Sequence, residues 1–180
     1  MLLHFMHVIT SLRSEVHTFL FGTRLTNVTR FLRYKDVDDA LGAASSAVED
    51  WSGGTRIGDC LKEFNFKWSR RVLGHGAIVL FISDGLDRGG GIGLSKQMNQ
   101  IQKSSKRLIW LNPLLRFDEF APKPTGVKAI LPYVDEFRPI HSLDSMDQLV
   151  SAISQTDLQS RFNMSPWLQK LREIGHITAH

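Results

Sequence analysis

One cysteine in 180 residues, Cys60, excludes an internal disulfide, which suits a reducing compartment and makes cytoplasmic residence the default expectation. No apolar run approaches the roughly 20 residues that cross a bilayer. The longest, Ala77 to Ile82 in GAIVLFISDG, is far too short. The opening MLLHFMHVITSLRSEV lacks a basic leading segment and a small-residue cleavage site, so a secretory signal is not expected. The sequon Asn27-Val28-Thr29 then carries no consequence. No Gly-x-x-x-x-Gly-Lys-Ser/Thr and no Gly-x-Ser-x-Gly occurs, which removes the signatures of phosphate-loop NTPases and α/β-hydrolases. The seven histidines, His4, His7, His17, His75, His141, His176 and His180, show no zinc spacing with Cys60. Nor is there a strong excess of one charge: 22 basic against 18 acidic residues leave +4, scattered through TRLTNVTRFLRYK, KWSRR and KSSKR. Solvated faces explain such clusters better than a nucleic-acid interface.

What is present suffices for one hydrophobic core. Apolar spacing predicts a helix from Leu2 to Leu12, with His4 and His7 on one face in surface or packing roles. Two strands, Val16 to Phe21 and Asn27 to Leu32, are expected to form a hairpin around Gly22-Thr23. Helices follow over Asp38 to Val48 and Ile57 to Val72, the second ended by Gly74-His75-Gly76. AIVLFIS reads as the central strand of a parallel sheet, buried on both faces. Beyond it come a Gly-rich loop, a helix from Leu94 to Ser104, a buried strand RLIWLNP, a short helix from Val127 to Leu131, a strand from Val134 to Ile140 and a helix from Ser145 to Ile153. The alternation predicts an α/β domain, mostly parallel, with helices on both faces. Residues 1–155 form that domain and 156–180 an appended helical tail.

Ligands of such sheets bind beyond the carboxyl ends of the strands, which selects Ser83-Asp84-Gly85, Asn112 and the loop DWSGGTRIGDCL, residues 50 to 61. Asp84 either faces a ligand or turns its own loop as an Asx turn. Thr55 either offers a hard oxygen to Mg²⁺ or caps the following helix. Gly89 to Gly93 invites a phosphate reading but lacks the complete motif, and a flexible loop is the simpler one. Cys60 sits within a helix without an evident activating histidine. Trp51 and Trp110 read as core or rim aromatics, and Arg56 as an exposed cation able to meet an acidic partner.

FGTRLTNVTRFLR, DWSGGTRIGDCLKEFN, RRVLGHGAIVLFISDGLDRG, RLIWLNPLL and AILPYVDEF, spread over Leu2 to Val150, resemble the von Willebrand factor A (VWA) domain in its CoxE-like branch. The resemblance implies a Rossmann-like fold and a Mg²⁺ site built from an Asp-x-Ser-x-Ser loop, a threonine and an aspartate. Thr55 and Asp84 match the last two. It further implies a non-catalytic protein-interaction module, an accessory factor acting with a MoxR-type AAA+ ATPase in metalloenzyme maturation or assembly, with Ser52, Arg56 and Asp87 at the partner-facing rim. The alternative is a nucleotide-binding or hydrolytic enzyme using Asp84 and Gly89 to Gly93.

Asp-x-Ser-x-Ser occurs nowhere in the chain, and the strand that should carry it, normally central in the sheet, is missing before the first helix. The expectation is therefore an N-terminally truncated copy. Two matched oxygens are too few to hold Mg²⁺ firmly. Loss of a central strand should either draw the hairpin towards Ala77 to Ser83 or leave a groove, because unpaired backbone edges are costly.

Overall fold

A computed structural model describes residues 2–12, 15–48, 53–116, 124–140, 143–154 and 164–177. Helix α1 (Leu2–Leu12) leads to a hairpin of β1 (Phe19–Phe21) and β2 (Leu25–Asn27), paired antiparallel. The second strand is displaced from its expected place. Asn27 Oδ1 accepts the Thr29 N–H at 3.0 Å, and the Phe31 and Leu32 N–H groups return to the Val28 carbonyl. This Asx turn folds Phe31–Arg33 into a 3-10 helix. Asp36 then caps α2 (Val37–Ser46), its Oδ1 accepting from the Asp38 and Asp39 amides at 2.9 and 3.0 Å.

The helix expected over Ile57 to Val72 is broken in two, α3 (Ile57–Lys67) and α4 (Ser69–Val72). Trp68 between them leaves helical geometry (φ −120°), and Ser69 Oγ donates back to the Asn65 carbonyl at 2.7 Å. The remaining elements alternate as expected: β3 (Ile78–Ile82), α5 (Leu94–Ser104), β4 (Arg107–Asn112), α6 (Thr125–Ile130), β5 (Glu136–Pro139), α7 (Leu143–Ser154) and α8 (Ser165–Ile177).

The three later strands form a parallel sheet in the order β3-β4-β5, and the hairpin is a separate two-stranded sheet. This corrects the assignment of Ala77 to Ser83 as the central strand. β4 is central and buried almost throughout, whereas β3 is an edge among the described residues and its Ile78, Val79, Leu80 and Ile82 are only half-buried. No further strand among the described residues completes the ladder. The hairpin instead approaches through side chains, with Phe21 stacked on Phe81 at 5.6 Å.

Strand alternation divides the core. On one face Phe81, Leu108, Trp110 and Phe137 pack with Ile57, Leu61 and Phe64 of α3, Leu94, Met98 and Ile101 of α5, and Val127 and Ile130 of α6. Burying a side chain of this kind stabilises by about 1.5–3 kcal/mol. On the other face Ile109 and Leu111 meet Met146 and Leu149 of α7, with Phe5 of α1 alongside. α8 packs onto the core, where Trp167 meets Phe137 edge-on at 5.2 Å. Among the described residues no helix is long and apolar enough to cross a membrane.

One charged group is enclosed under α7's side of the sheet. Glu136 is fully buried, with Arg107 on one carboxylate oxygen and Arg138 Nε on the other at 2.5 Å. Removing one partner of a buried ionic cluster typically costs about 3–5 kcal/mol, because the remaining charge has no compensation. Glu136→Gln, which leaves two guanidinium groups facing an amide, should lose about that much stability. Urea denaturation checks this as a lowered midpoint at constant m-value.

Candidate functional site

At the carboxyl ends of β3 and β4 the chain is braced tightly. Ser83 stays in the ladder, its N–H donating to the Leu111 carbonyl at 3.1 Å while its own carbonyl accepts Trp110 Nε1–H at 2.9 Å. Asp84 adopts the Asx turn, Oδ1 accepting the Leu86 N–H at 2.9 Å, and Asn112 Nδ2 donates to the Asp84 carbonyl at 3.3 Å. Gly85 (φ +82°) lies where any side chain would run into Val127 and Trp110, and a Cβ on Gly126 would collide with the Gly85 carbonyl. Both positions therefore need glycine.

The loop ahead of α3 is laced to this one. The Arg88 N–H donates to the Thr55 carbonyl at 2.9 Å, and Arg88 Nη1 reaches the Gly53 carbonyl at 2.5 Å. Thr55 does not cap α3. That task falls to Asp87, whose Oδ1 accepts the Ile57 N–H at 2.8 Å and whose Oδ2 accepts the Gly91 N–H at 3.0 Å. Asp87, expected at the rim, thus spends both oxygens inside the protein. Nothing in the local sequence signals this cap, because it comes from a loop thirty positions away (|i−j| = 30).

Arg56 keeps the exposed position expected of it, 61% accessible and loosely paired with Asp59 at 3.9 Å, a contact worth at most about 1 kcal/mol. Its N–H donates to the Gly22 carbonyl at 2.9 Å, tying α3 to the hairpin turn. Ser52, together with Asp50 and Trp51, lies outside the described residues. A cavity of about 690 Å³ adjoins Arg56, lined by Thr23, Arg24, Leu25, Thr26, Ala47 and Val48. It opens beside the hairpin and includes neither Thr55 nor Asp84.

The metal reading can be tested on the donor set. The two loops that carry Thr55 and Asp84 do adjoin, but Asp84 Oδ1 and both oxygens of Asp87 already accept backbone N–H groups. Among the described residues no three His, Cys, Asp or Glu side chains assemble as a metal site. Mg²⁺ takes near-octahedral oxygen coordination, and Thr55 with Asp84 falls short of it. The phosphate reading of Gly89 to Gly93 meets a related obstacle. Gly90, Gly91 and Gly93 take positive φ as a glycine turn should, yet the Gly91 amide is aimed at the Asp87 carboxylate, the protein's own anion.

Two apolar side chains escaped the sequence reading. Leu86 is 53% exposed and Ile92 is 87% exposed, both in the loop that follows β3. In the sequence each resembles an ordinary core residue, and only the turn geometry reveals that they point outward.

Cys60 is inert by placement. It is 1% exposed, and its Sγ–H donates to the Gly22 carbonyl at 3.6 Å. Burial, followed by the nearby charges of Glu63 and Asp59, pushes the thiol up from its ordinary 9.0 to about 11. A raised pKa keeps the thiol protonated through neutral pH, and the stability linked to it is present below the unfolded value and lost as pH rises through about 11. The native thiol should therefore react with an aromatic disulfide reagent at pH 8 at least about 100-fold more slowly than in urea, the rate climbing towards alkaline pH. Asp87→Ala, which strips the cap from α3 and frees the Gly91 amide, should cost about 1–2 kcal/mol by chemical denaturation.

The comparisons with known proteins agree with this architecture. The family profile described as VWA domain containing CoxE-like protein matches residues 1–146. No curated protein and no solved structure gives a significant match. With that profile covering most of the chain, over a three-stranded parallel sheet flanked by helices, the protein belongs to the VWA domain containing CoxE-like family.

Proposed function

We propose that the chain is a non-catalytic VWA interaction module whose sheet-top loops dock a protein partner, a MoxR-type AAA+ ATPase that acts with it on a client metalloenzyme. The observation that supports this reading is the pair Leu86 and Ile92, apolar side chains held out to solvent on a loop otherwise cross-braced by hydrogen bonds. Loops that bind tightly are rigid before they bind, since ordering them later subtracts from affinity. Exposed apolar groups in one loop with an exposed charge, Arg88, between them in sequence suit an interface, which joins apolar contacts to charged ones. Asp84 heads the same loop and Thr55 accepts its Arg88 N–H, and docking of this kind requires no metal bridge.

The catalytic alternative gains no support from the residues offered for it. Asp84 spends Oδ1 on the Leu86 N–H of its own turn, and within Gly89 to Gly93 the Asp87 carboxylate occupies the Gly91 amide that a phosphate would need. A nucleotide that raised the thermal midpoint would speak for that alternative.

The test is binding of the wild-type chain and of Leu86→Ser, Ile92→Ser and Arg56→Glu to the MoxR-type ATPase of the same genome. Each apolar substitution should weaken binding about tenfold, equivalent to about 1.4 kcal/mol, with the thermal midpoint unchanged. Millimolar Mg²⁺ should change the affinity less than about twofold. Equal affinity for all variants would place the interface elsewhere.

A further inference from the structure

One basic cluster on a helix is an ordinary solvated face, but the fold brings two of them, KWSRR and KSSKR, to the same end of the molecule. Helix α3 starts at the sheet-top loops, where Asp87 holds its first amide, and its 11 residues carry it about 15 Å towards the opposite end. Helix α5 runs the same way, from the Gly-rich turn to the start of β4. Lys67, Arg70 and Arg71 therefore gather with Lys103 and Lys106 at the amino ends of the strands. The Lys106 N–H donates to the Ala77 carbonyl at 2.8 Å, and a Cβ on Gly76 would stand 3.7 Å from Lys106 Cδ, so this lysine lies against the loop that leaves α4.

Negative charge is scarce here. From Phe64 to Ser83 and from Arg88 to Arg116 the sequence contains no Asp or Glu. Of the acids that border this end, Glu63 pairs with Lys67 at 2.8 Å, and Asp135 spends its oxygens on the Leu108 N–H at 2.7 Å and on Gln102 Nε2 at 3.3 Å. Lys62, Arg70, Arg71, Lys103 and Lys106 are exposed, and among the described residues no ion pair or side-chain hydrogen bond engages them. A solvated face ordinarily interleaves both signs. Beside these cations Phe66 is 88% exposed, more than any other large apolar side chain among the described residues. Leu61 and Phe64 turn inward from the same helix, so Phe66 and Lys62, one turn before it, share the outer face.

We propose that this end is a peripheral docking surface for an anionic lipid bilayer, with Phe66 entering the headgroup boundary and Lys62, Arg70, Arg71, Lys103 and Lys106 meeting lipid phosphates. The surface is the outer side of helix ends and carries a single exposed phenyl amid cations, whereas a protein interface is built around an apolar centre. Single-stranded nucleic acid is held on several aromatic platforms along a groove. A bilayer needs neither, because its headgroups rearrange around a convex surface, and an aromatic ring flanked by lysine and arginine is the side-chain set that settles at its interface. The sheet-top loops lie at the opposite end, so both surfaces can be occupied together.

Co-sedimentation of the full chain with vesicles tests it, one set of phosphatidylcholine alone and one with about a third phosphatidylglycerol. The chain should bind the second set at least about tenfold more tightly, and raising the salt from about 0.05 M to about 0.5 M should release it. Arg70→Glu with Arg71→Glu should weaken binding at least about tenfold, and Arg70→Lys with Arg71→Lys should keep it within about twofold. Phe66→Ser should weaken it about threefold with the thermal midpoint unchanged, and Leu86→Ser should leave it intact. Equal binding to both vesicle sets, no binding at low salt, or undiminished binding by Phe66→Ser or by Arg70→Glu with Arg71→Glu overturns the proposal. Tighter binding of single-stranded RNA or of an acidic peptide than of the anionic vesicles at the same salt would assign the surface to that partner and equally overturn it.

Discussion

The carboxylate of Asp87 is the tie on which the top of the molecule depends. One oxygen satisfies the first amide of α3 and the other an amide of its own Gly-rich turn, so the start of α3 is fixed to the loop that follows β3. A carboxylate at a helix N-terminus also meets the positive end of the helix dipole, which strengthens both bonds. Once Asp87 is so placed, Arg88 falls within reach of the Gly53 and Thr55 carbonyls, and the loop before α3 takes its shape from the loop after β3. The same commitment sets the chemistry. A carboxylate already accepting two backbone amides is poorly available to a metal ion, and the amides it holds are closed to a phosphate.

A second constraint carries this order to the hairpin. The Gly22 carbonyl accepts both the Arg56 N–H and the Cys60 thiol, so the turn between β1 and β2 is attached to the first turn of α3. The connection holds Cys60 at the buried seam between α3 and the hairpin turn, where it is 1% exposed. Burial opposes the loss of its proton first, and the acidic neighbours Glu63 and Asp59 on its own helix add to that.

How much of this was legible depended on the range of the interaction. The order of elements and the sheet's core strands followed from apolar runs and helical spacing, local signals that the structure retains in β3, β4 and α5. The hairpin's second strand was expected over Asn27 to Leu32 and lies at Leu25–Asn27, because Asn27 and Thr29 look like strand formers until the Asn27 side chain folds onto the Thr29 amide. Trp68 carries no breaker signature, yet the helix divides there, with Trp68 turned to meet Phe19 at 5.3 Å. The roles of Asp87 and Glu136 could not be read at all, since each depends on a register or loop approach that no stretch of sequence encodes. Of the site, the convergence of the Thr55 and Asp84 loops was foreseen. The exposure of Leu86 and Ile92 was not, because hydrophobic type alone does not say which way a turn points.

The separation of the two sheets puts the weakest joint of the fold in a definite place. Hydrogen-bonded ladders fix distance and register, whereas apolar packing is non-directional and tolerates sliding. Among the described residues β1 and β3 are joined by the second kind of contact, through Phe21 on Phe81 and through clusters that α1 shares with each strand. Movement of the hairpin therefore costs little at β3, but it is transmitted at the other end, where the Gly22 carbonyl holds Arg56 and Cys60. The Gly22 turn is therefore where directional bonds attach the hairpin to α3, while its strand edge meets β3 through packing.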